Sequence, residues 1–473
     1  MRQITKATAP LAFSPPNFQL WVLRVWVRLL PYWLRSRLKI SRIDAVHIDR
    51  LVEVYKQAQM GRWRLILAFR HPSTDDPVVM SHLLTKILPD EARKYRISLQ
   101  SPVFAHFLYD RGIPLWAGRF SNWLFPRLGG IPIHRGKADR AALRAARDLL
   151  INGQIPLALA PEGATNGHSE LVSEVESGAA QIGFWAMRDL IAAGRNEDVL
   201  ILPIGIQYYY TDEPWGNLEK LLFKLELECG LEVDRHDSLV AIGQTDGRPM
   251  RKLIYDRFYK LSQYLLYQME NFYAQFYQYQ IPERTTIYEA ITRTEIEQRL
   301  QELLDFSLTV SESYFNLQPK GTKTDRCRRI EQAGWDWIYR DELKDPNNLS
   351  TVGHKLADRI ATESDLRMWH MRIVESFISV TGSYVKDNPT IDRFAEITLL
   401  LWDLVAQIKG TKSAKRPILG KRRVQVTIGN PIPISDYWDR YNSSRRAAKQ
   451  SVIDLTQELQ TSLEGTIERN YES

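Results

Sequence analysis

Hydrophobic positions along the chain fall into two rhythms. Between residues 63 and 210, short unbroken apolar runs recur between clusters of Pro, Gly, Ser and Asp: Leu65 to Phe69, Ile131 to Ile133, Ile155 to Ala160 and Val199 to Ile206. Such runs predict strands buried on both faces, as in a parallel sheet. Between them the spacing changes to three and four. In Arg140 to Ile151 the residues Ala142, Leu143, Ala146, Leu149 and Leu150 share one side and predict an amphipathic helix. Alternating strand and helix predict an α/β core. Pro203, inside the last run, is expected at a sheet edge or a bulge, because it has no N–H for a central ladder.

From residue 212 the helical rhythm takes over. Asn217 to Cys229 carries Leu218, Leu221, Leu222 and Leu225 at helical spacing before Gly230, and Leu253 to Tyr279, Thr285 to Asp305 and Thr390 to Ile408 continue it. Phe258, Tyr259, Tyr264, Tyr267, Phe272, Tyr273, Phe276 and Tyr277 crowd the second of these helices, as core packing, an acyl channel or a membrane face would require. At Arg422 an alternating stretch, with Val424, Val426 and Ile428, reads as a strand. A helix from Ser444 follows, with Ala448, Val452, Leu455, Leu459 and Leu463 on one face.

Phe18 to Ile40 is apolar but interrupted by Arg24, Arg28, Arg35, Arg37 and Lys39, too often for a spanning helix of about 20 apolar residues. Arg24 and Arg28 share one helical face, with Trp21, Leu23, Val25, Trp26, Leu29 and Leu30 covering the rest, which predicts an interfacial helix with snorkelling basic side chains. A core helix packed on the domain is the competing reading. The net charge of +7, pI near 9.1, 13 Trp and 21 Tyr suit an anionic membrane surface as well as nucleic acid. Arg326, Arg328 and Arg329 upstream of Trp335 and Trp337 hint at base stacking, but Glu331, Asp336, Asp341 and Glu342 dilute that charge, so no nucleic acid is expected. No cleavable leader is expected, since no apolar core followed by small residues opens the chain.

Candidate chemistry gathers at the ends of the predicted strands. His71 follows the run ending at Phe69, and Asp75 or Asp76 would cap the next helix, with Pro77 suited to its first turn. A carboxylate there can reach back to the imidazole and fix its tautomer, the geometry of an oriented general base. Leu128-Gly129-Gly130-Ile131 leads to Arg135 at a strand end, and the strand from Ile155 ends at Glu162 and Gly163. Gly130 to Lys137 has the wrong length for a phosphate loop, and Ala138 replaces the required hydroxyl residue. The two cysteines, Cys229 and Cys327, give neither a disulfide framework nor metal-ligand spacing; no metal and no cofactor are expected, and a reducing compartment is the default. No Gly-x-Ser-x-Gly elbow is present, which argues against a covalent acyl-enzyme.

The order of these signals resembles the glycerolipid acyltransferase family, which includes lysophosphatidate and glycerol-3-phosphate acyltransferases. His71 and Asp76 match the first motif of the family, Gly129 with Gly130 and Arg135 the second, Glu162 with Gly163 the third, and Pro203 the fourth, over residues 45 to 210 and again near the C-terminus. The resemblance implies His71 as base, Asp76 as its partner, and Arg135 with the Glu162, Gly163 and Thr165 turn as acceptor-binding residues. Two departures stand out. Pro132 and His134 occupy places where the second motif usually has an aromatic residue and an acid, and Ala164-Thr165-Asn166 replaces Thr-Arg-Ser in the third, which removes an arginine that ordinarily helps to bind phosphate.

The resulting expectation is an α/β protein: a mixed, largely parallel central sheet flanked by helices, with an N-terminal interfacial helix and a large helical insertion. Residues 1–44 form a basic membrane-association segment, 45–211 the acyltransferase core, 212–420 the helical insertion, and 421–473 the closing strand and helix of the core. The implied activity is transfer of a fatty acyl group from an acyl carrier protein or coenzyme A thioester to a hydroxyl of lysophosphatidate, glycerol-3-phosphate or another lysophospholipid or alcohol. The implied place is the cytoplasmic face of an anionic membrane, peripheral or monotopic. A non-catalytic membrane or carrier-protein binding module with the same fold, and a basic aromatic-rich nucleic-acid binder, are the alternatives. No sequence pattern specifies an oligomeric state.

Overall fold

The computed structural model describes residues 4–113, 118–134, 139–232, 248–281, 293–378, 384–410 and 416–468. The chain forms two compact units, one of Leu11–Thr211 with Lys421–Asn470, the other of Asp212–Gly420 with the residues before Leu11. The residues expected as one basic segment over 1–44 thus fall in both units, and the last of them belong to a strand. Helix α1 (Leu20–Tyr32) runs into a π-helical turn, Trp33–Arg37, and the chain then enters strand β1 (Ile40–Val46).

Elements then follow in the predicted alternation: α2 (Ile48–Gln59), β2 (Trp63–Phe69), α3 (Asp76–His82), α4 (Leu88–Lys94), β3 (His106–Asp110), α5 (Arg119–Arg127), β4 (Ile131–Ile133), α6 (Arg140–Asn152), β5 (Leu157–Leu159), α7 (Gly178–Ala192) and β6 (Asp198–Tyr210). Helix α6 starts where Asp139 accepts a hydrogen bond from the backbone N–H of Ala142, a side-chain cap. The intervening segment contributes the helices α8 (Trp215–Glu228), α9 (Arg248–Tyr277), α10 (Arg293–Phe315), α11 (Lys323–Ile338), α12 (Thr351–Phe377), α13 (Tyr384–Asp387) and α14 (Ile391–Ile408). The chain returns through β7 (Arg422–Ile428), β8 (Ile432–Pro433), α15 (Ser435–Ser443) and α16 (Arg445–Glu464).

The strands form one mixed, largely parallel sheet in the order β1-β7-β6-β2-β5-β3-β4, with β8 also paired to β6. Strand β7 lies parallel to β1 and antiparallel to β6, and β8 is antiparallel to β6; the other pairs are parallel. Alternate residues of a strand point to opposite faces. Accordingly Leu65, Leu67 and Phe69 of β2 pack with Leu202, Ile204 and Tyr208 of β6 against α1 to α4. Ile66, Ala68 and Ile201 pack on the other face against α6, α7 and the Leu455, Leu459, Leu463 stripe of α16. Two apolar cores sandwich the sheet, which makes this unit a three-layer α/β/α body.

Pro203 is neither at an edge nor at a bulge. It sits in central strand β6, paired with Ala68 of β2, and its carbonyl accepts a hydrogen bond from Gly429 N at 2.9 Å. Its N side faces the same way, into the gap where the partner of β6 changes from β8, ending at Ile201–Ile432, to β7, starting at Ile204–Ile428. The missing N–H thus falls where the ladder is already interrupted.

In the helical unit the expected helices form, although the stretch 282–292 that opens the Thr285 to Asp305 pattern lies outside the described residues. Thr390 caps α14 through Arg393 N, and Thr322 with Asp325 forms a capping box for α11. Arginines cross between helices onto buried acids: Arg257 Nε to Glu226 at 3.0 Å, Arg299 Nε to Glu270 and Arg326 Nε to Glu312, both at 2.9 Å. Such pairs set helix register more than they add stability.

Candidate active site

Strand β2 delivers its last residues to the carboxyl edge of the parallel strands, the edge where open α/β sheets bind ligands. Phe69 is the last strand residue. Arg70 then turns inward, fully buried, its guanidinium donating to the carbonyls of Ser169 (2.6 Å), His168 (3.1 Å) and Leu171. His71 turns the other way, and its side chain remains 21% exposed. Its Nδ1 lies 2.9 Å from Asp76 Oδ2, and the Asp76 side chain is wholly buried. This contact fixes the ring, so that Nε2 is the nitrogen left for a substrate.

Neither aspartate caps α3, contrary to the expectation from the sequence. Asp75 occupies the N-cap position without a side-chain cap bond, because its carboxylate accepts from Arg422 Nη2 at 2.7 Å. Asp76 is committed three times: to His71, to Ser73 N at 2.9 Å, and to the Tyr208 hydroxyl, which donates to Oδ1 at 2.5 Å. Arg422 also lies over the Tyr208 ring, 4.8 Å from its centroid. Burial holds the Asp76 carboxyl above its ordinary range, with the hydrogen bonds from His71, Tyr208 and Ser73 pulling it back down. Burial, with the Asp76 and Asp75 charges beside it, pushes the Tyr208 phenol far up, so it stays protonated and able to donate.

Glu162, at the end of β5, reaches under the same turn. Its Oε1 accepts from His71 N at 2.7 Å, and its Oε2 accepts from Asn166 Nδ2 at 2.9 Å and Ser173 N at 2.8 Å. Asn166 also returns its backbone N–H to the His71 carbonyl at 3.3 Å. Two loops are thus cross-linked at the histidine. The carboxylate of Glu162 is buried, and both of its oxygens are engaged by the protein.

A partly exposed imidazole backed by a buried, multiply bonded carboxylate at a strand end has the geometry that a proton acceptor requires. Residues 51–207, which hold both groups, match the model of the family described as Acyltransferase. This segment is an acyltransferase domain. No curated protein matches the chain.

Within the acyltransferase domain the remaining motif residues stand as follows. Gly129, with φ of +79°, closes the turn before β4. Its carbonyl accepts from His106 Nδ1 at 2.9 Å, and a Cβ there would come within 2.6 Å of that nitrogen. At Gly130 a Cβ would meet the Phe125 carbonyl at 2.9 Å. Both glycines permit close packing under the second motif. Arg135 lies outside the described residues. The chain on either side of it is anchored: β4 ends at Ile133 beside β3, and Asp139 accepts from His134 N at 3.1 Å and from Arg111. Gly163, with φ of +71°, and Thr165 are half-buried on the turn that follows β5.

Tyr208 and Arg422 escaped the sequence reading because they reach the site from strands 132 and 347 residues away from their aspartate partners. Strand alternation, which puts Leu202, Ile204 and Tyr208 of β6 on one face, is the local signal that could have found Tyr208. The cysteines take no part: burial pushes Cys229 up to about 11 and Cys327 higher still, so neither is a thiolate nucleophile. Among the described residues no group of three His, Cys, Asp or Glu is placed to hold a metal ion.

The N-terminal helix corrects one further expectation. Leu23 and Leu30 do not share the exposed face; with Val22 and Leu34 they are buried in the domain. Trp21 (56% exposed), Val25, Leu29 and Tyr32 (72% exposed) form the outer stripe, with Arg24 and Arg28 beside it. Trp123 of α5 meets Trp21 edge to face at 6.2 Å, and exposed Phe120 stacks on Trp123 at 6.0 Å. The helix is both a packed element and the carrier of an exposed aromatic and basic patch. Among the described residues no helix is long and apolar enough to cross a membrane.

Proposed function

We propose that the domain transfers a fatty acyl group from a thioester of acyl carrier protein or coenzyme A to the free hydroxyl of a glycerol phosphate lipid, with lysophosphatidate preferred. The observation that carries this reading is the 2.9 Å contact between Nδ1 of the partly exposed His71 ring and a wholly buried Asp76. His71 Nε2 takes the hydroxyl proton while the acceptor oxygen attacks the thioester carbonyl. As the tetrahedral intermediate collapses, the C–O bond stays, the C–S bond breaks, and the imidazolium returns its proton to the departing thiolate. Asp76 holds Nδ1–H and stabilises the cation between these two events. No covalent acyl-enzyme is required, because a thioester is already activated. The acceptor phosphate is assigned to Arg135 by family resemblance, since a guanidinium binds phosphate through paired charge-assisted bonds.

A membrane-held acceptor also gives the exposed patch a purpose. Trp21, Val25, Leu29, Phe120 and Trp123 would enter the interface, with Arg24 and Arg28 at the level of anionic headgroups on the cytoplasmic face. The deciding experiment assays purified protein with both acyl carriers against lysophosphatidate, glycerol-3-phosphate, lysophosphatidylcholine and a neutral alcohol. Lysophosphatidate is expected to give the highest kcat/KM, and Arg135→Lys to raise its KM while sparing the thioester. A neutral alcohol as best acceptor, indifferent to Arg135→Lys, removes the phosphate role; absence of transfer to any acceptor removes the catalytic reading in favour of a binding module.

A further inference from the structure

The helical unit contains a cavity lined by its own residues. Helices α9, α10, α12 and α14 surround about 120 Å³ open to the centre of a water molecule, close to the ~150 Å³ of an apolar cavity that holds benzene. One wall is a continuous stripe of α9 from Tyr255 to Tyr273 at helical spacing, faced by Leu300 of α10 and Leu404 of α14. At ~1.5 Å of rise per residue that wall is roughly 27 Å long. A space of this volume that followed the whole wall would have a cross-section of only a few square ångström for a water's centre. A small space beside so long an apolar wall suits an unbranched chain lying along α9 better than a ring or a branched group.

Its polarity specifies the ligand further. Ser262 Oγ lines the cavity, buried and without a hydrogen-bond partner among the described residues. By contrast the Tyr273 hydroxyl, at the far end, is bonded to His370 Nδ1 at 2.8 Å. A hydroxyl in an apolar wall is costly unless an occupant supplies its partner. From Ser262 to Tyr273 the helix rises roughly 16 Å, about half of the ~30 Å hydrocarbon core of a bilayer and so the reach of one acyl chain. Among the described residues the lining contains Glu297 and no Lys or Arg, which disfavours a carboxylate head.

We propose that this cavity binds one long unbranched aliphatic chain ending in a neutral oxygen function, a fatty alcohol or an acyl ester, with its oxygen on Ser262 and its tail running toward Tyr273. Its lining includes no residue of the His71 site, and neither reading depends on the other.

The test is equilibrium binding of radiolabelled 1-hexadecanol to the full-length protein, with palmitate, 1-adamantanol and hexadecane as competitors. One hexadecanol per chain is expected, bound at least tenfold more tightly than palmitate at pH 8 or adamantanol. Leu300→Trp, filling the cavity, should weaken hexadecanol at least tenfold. Ser262→Ala should weaken hexadecanol about fivefold and leave hexadecane unchanged, which a merely structural serine would not do, and it keeps the test alive if the tryptophan variant fails to fold. His71→Ala should bind hexadecanol as the parent does. Absence of one-to-one binding, a preference for adamantanol or palmitate, an equal loss for hexadecanol and hexadecane in Ser262→Ala, or loss of binding in His71→Ala overturns the proposal.

Discussion

Tyr208→Phe is the most informative single change, because it removes one atom from the histidine–aspartate pair and leaves the ring in place under the Arg422 guanidinium, 4.8 Å away. The lost hydroxyl donates to Asp76 Oδ1 at 2.5 Å in a site where the carboxylate is wholly buried. A hydrogen bond to a charged group contributes about 1.5–3 kcal/mol, and here nothing replaces it, since water does not reach the carboxylate. That energy favours the ionised form of Asp76, so its loss lets burial raise the carboxyl further above its ordinary range. A protonated Asp76 no longer stabilises the imidazolium, so the acid limb of the kcat/KM profile should move to higher pH. At neutral pH kcat/KM should fall by roughly 10- to 150-fold if the full amount is felt in the transition state. The assay is acyl transfer by purified protein from pH 5.5 to 9, with thermal denaturation as a fold control and KM for the thioester expected to hold. A parental rate with an unmoved acid limb would show that Tyr208 is a packing residue and that the ionisation of Asp76 does not govern the base.

His71→Ala should lower kcat by at least ~10²–10⁴-fold without altering the melting curve, and parental turnover would eliminate the general-base mechanism. Replacing Trp21 and Leu29 by Ser, or Arg24 and Arg28 by Glu, should reduce co-sedimentation with anionic vesicles, each cation being worth about 1 kcal/mol near such a surface; unchanged partition sinks the interface assigned to this patch. Truncation at Gly420 should unfold the acyltransferase domain, because β7 covers one edge of β6 from Ile204 to Tyr210 and α16 covers one face of the sheet; a soluble, active fragment would refute this. In the helical unit, burial lowers His370 from 6.5 to about 4, so stability is full above 6.5 and is lost as pH falls from about 6.5 to 4. The loss should approach about 3 kcal/mol, read by urea unfolding at pH 7.5 and 4.5, and His370→Gln should flatten that dependence.

Much of the architecture was written locally. Short apolar runs satisfy their backbone in a buried ladder, so Leu65–Phe69 and Val199–Ile206 announced strands, although Pro203 pointed the second to an edge or a bulge instead of the central place it takes. The five-residue step from His71 to Asp76 is likewise local, as a turn and the first residue of a helix bring the two side chains together over a distance the chain itself sets. The order of these motifs along the chain carried the acyltransferase resemblance. Tertiary structure decided what depends on partners far away in sequence. It diverted Asp75 and Asp76 from capping to Arg422 and Tyr208, and it engaged both oxygens of Glu162. It buried Leu23 and Leu30 on one side of a helix whose other side stayed exposed, and it placed Pro203 opposite a break in the sheet. Spacing fixes which side chains a turn can bring together, but only the packing of distant strands determines which competing hydrogen bond a buried carboxylate makes.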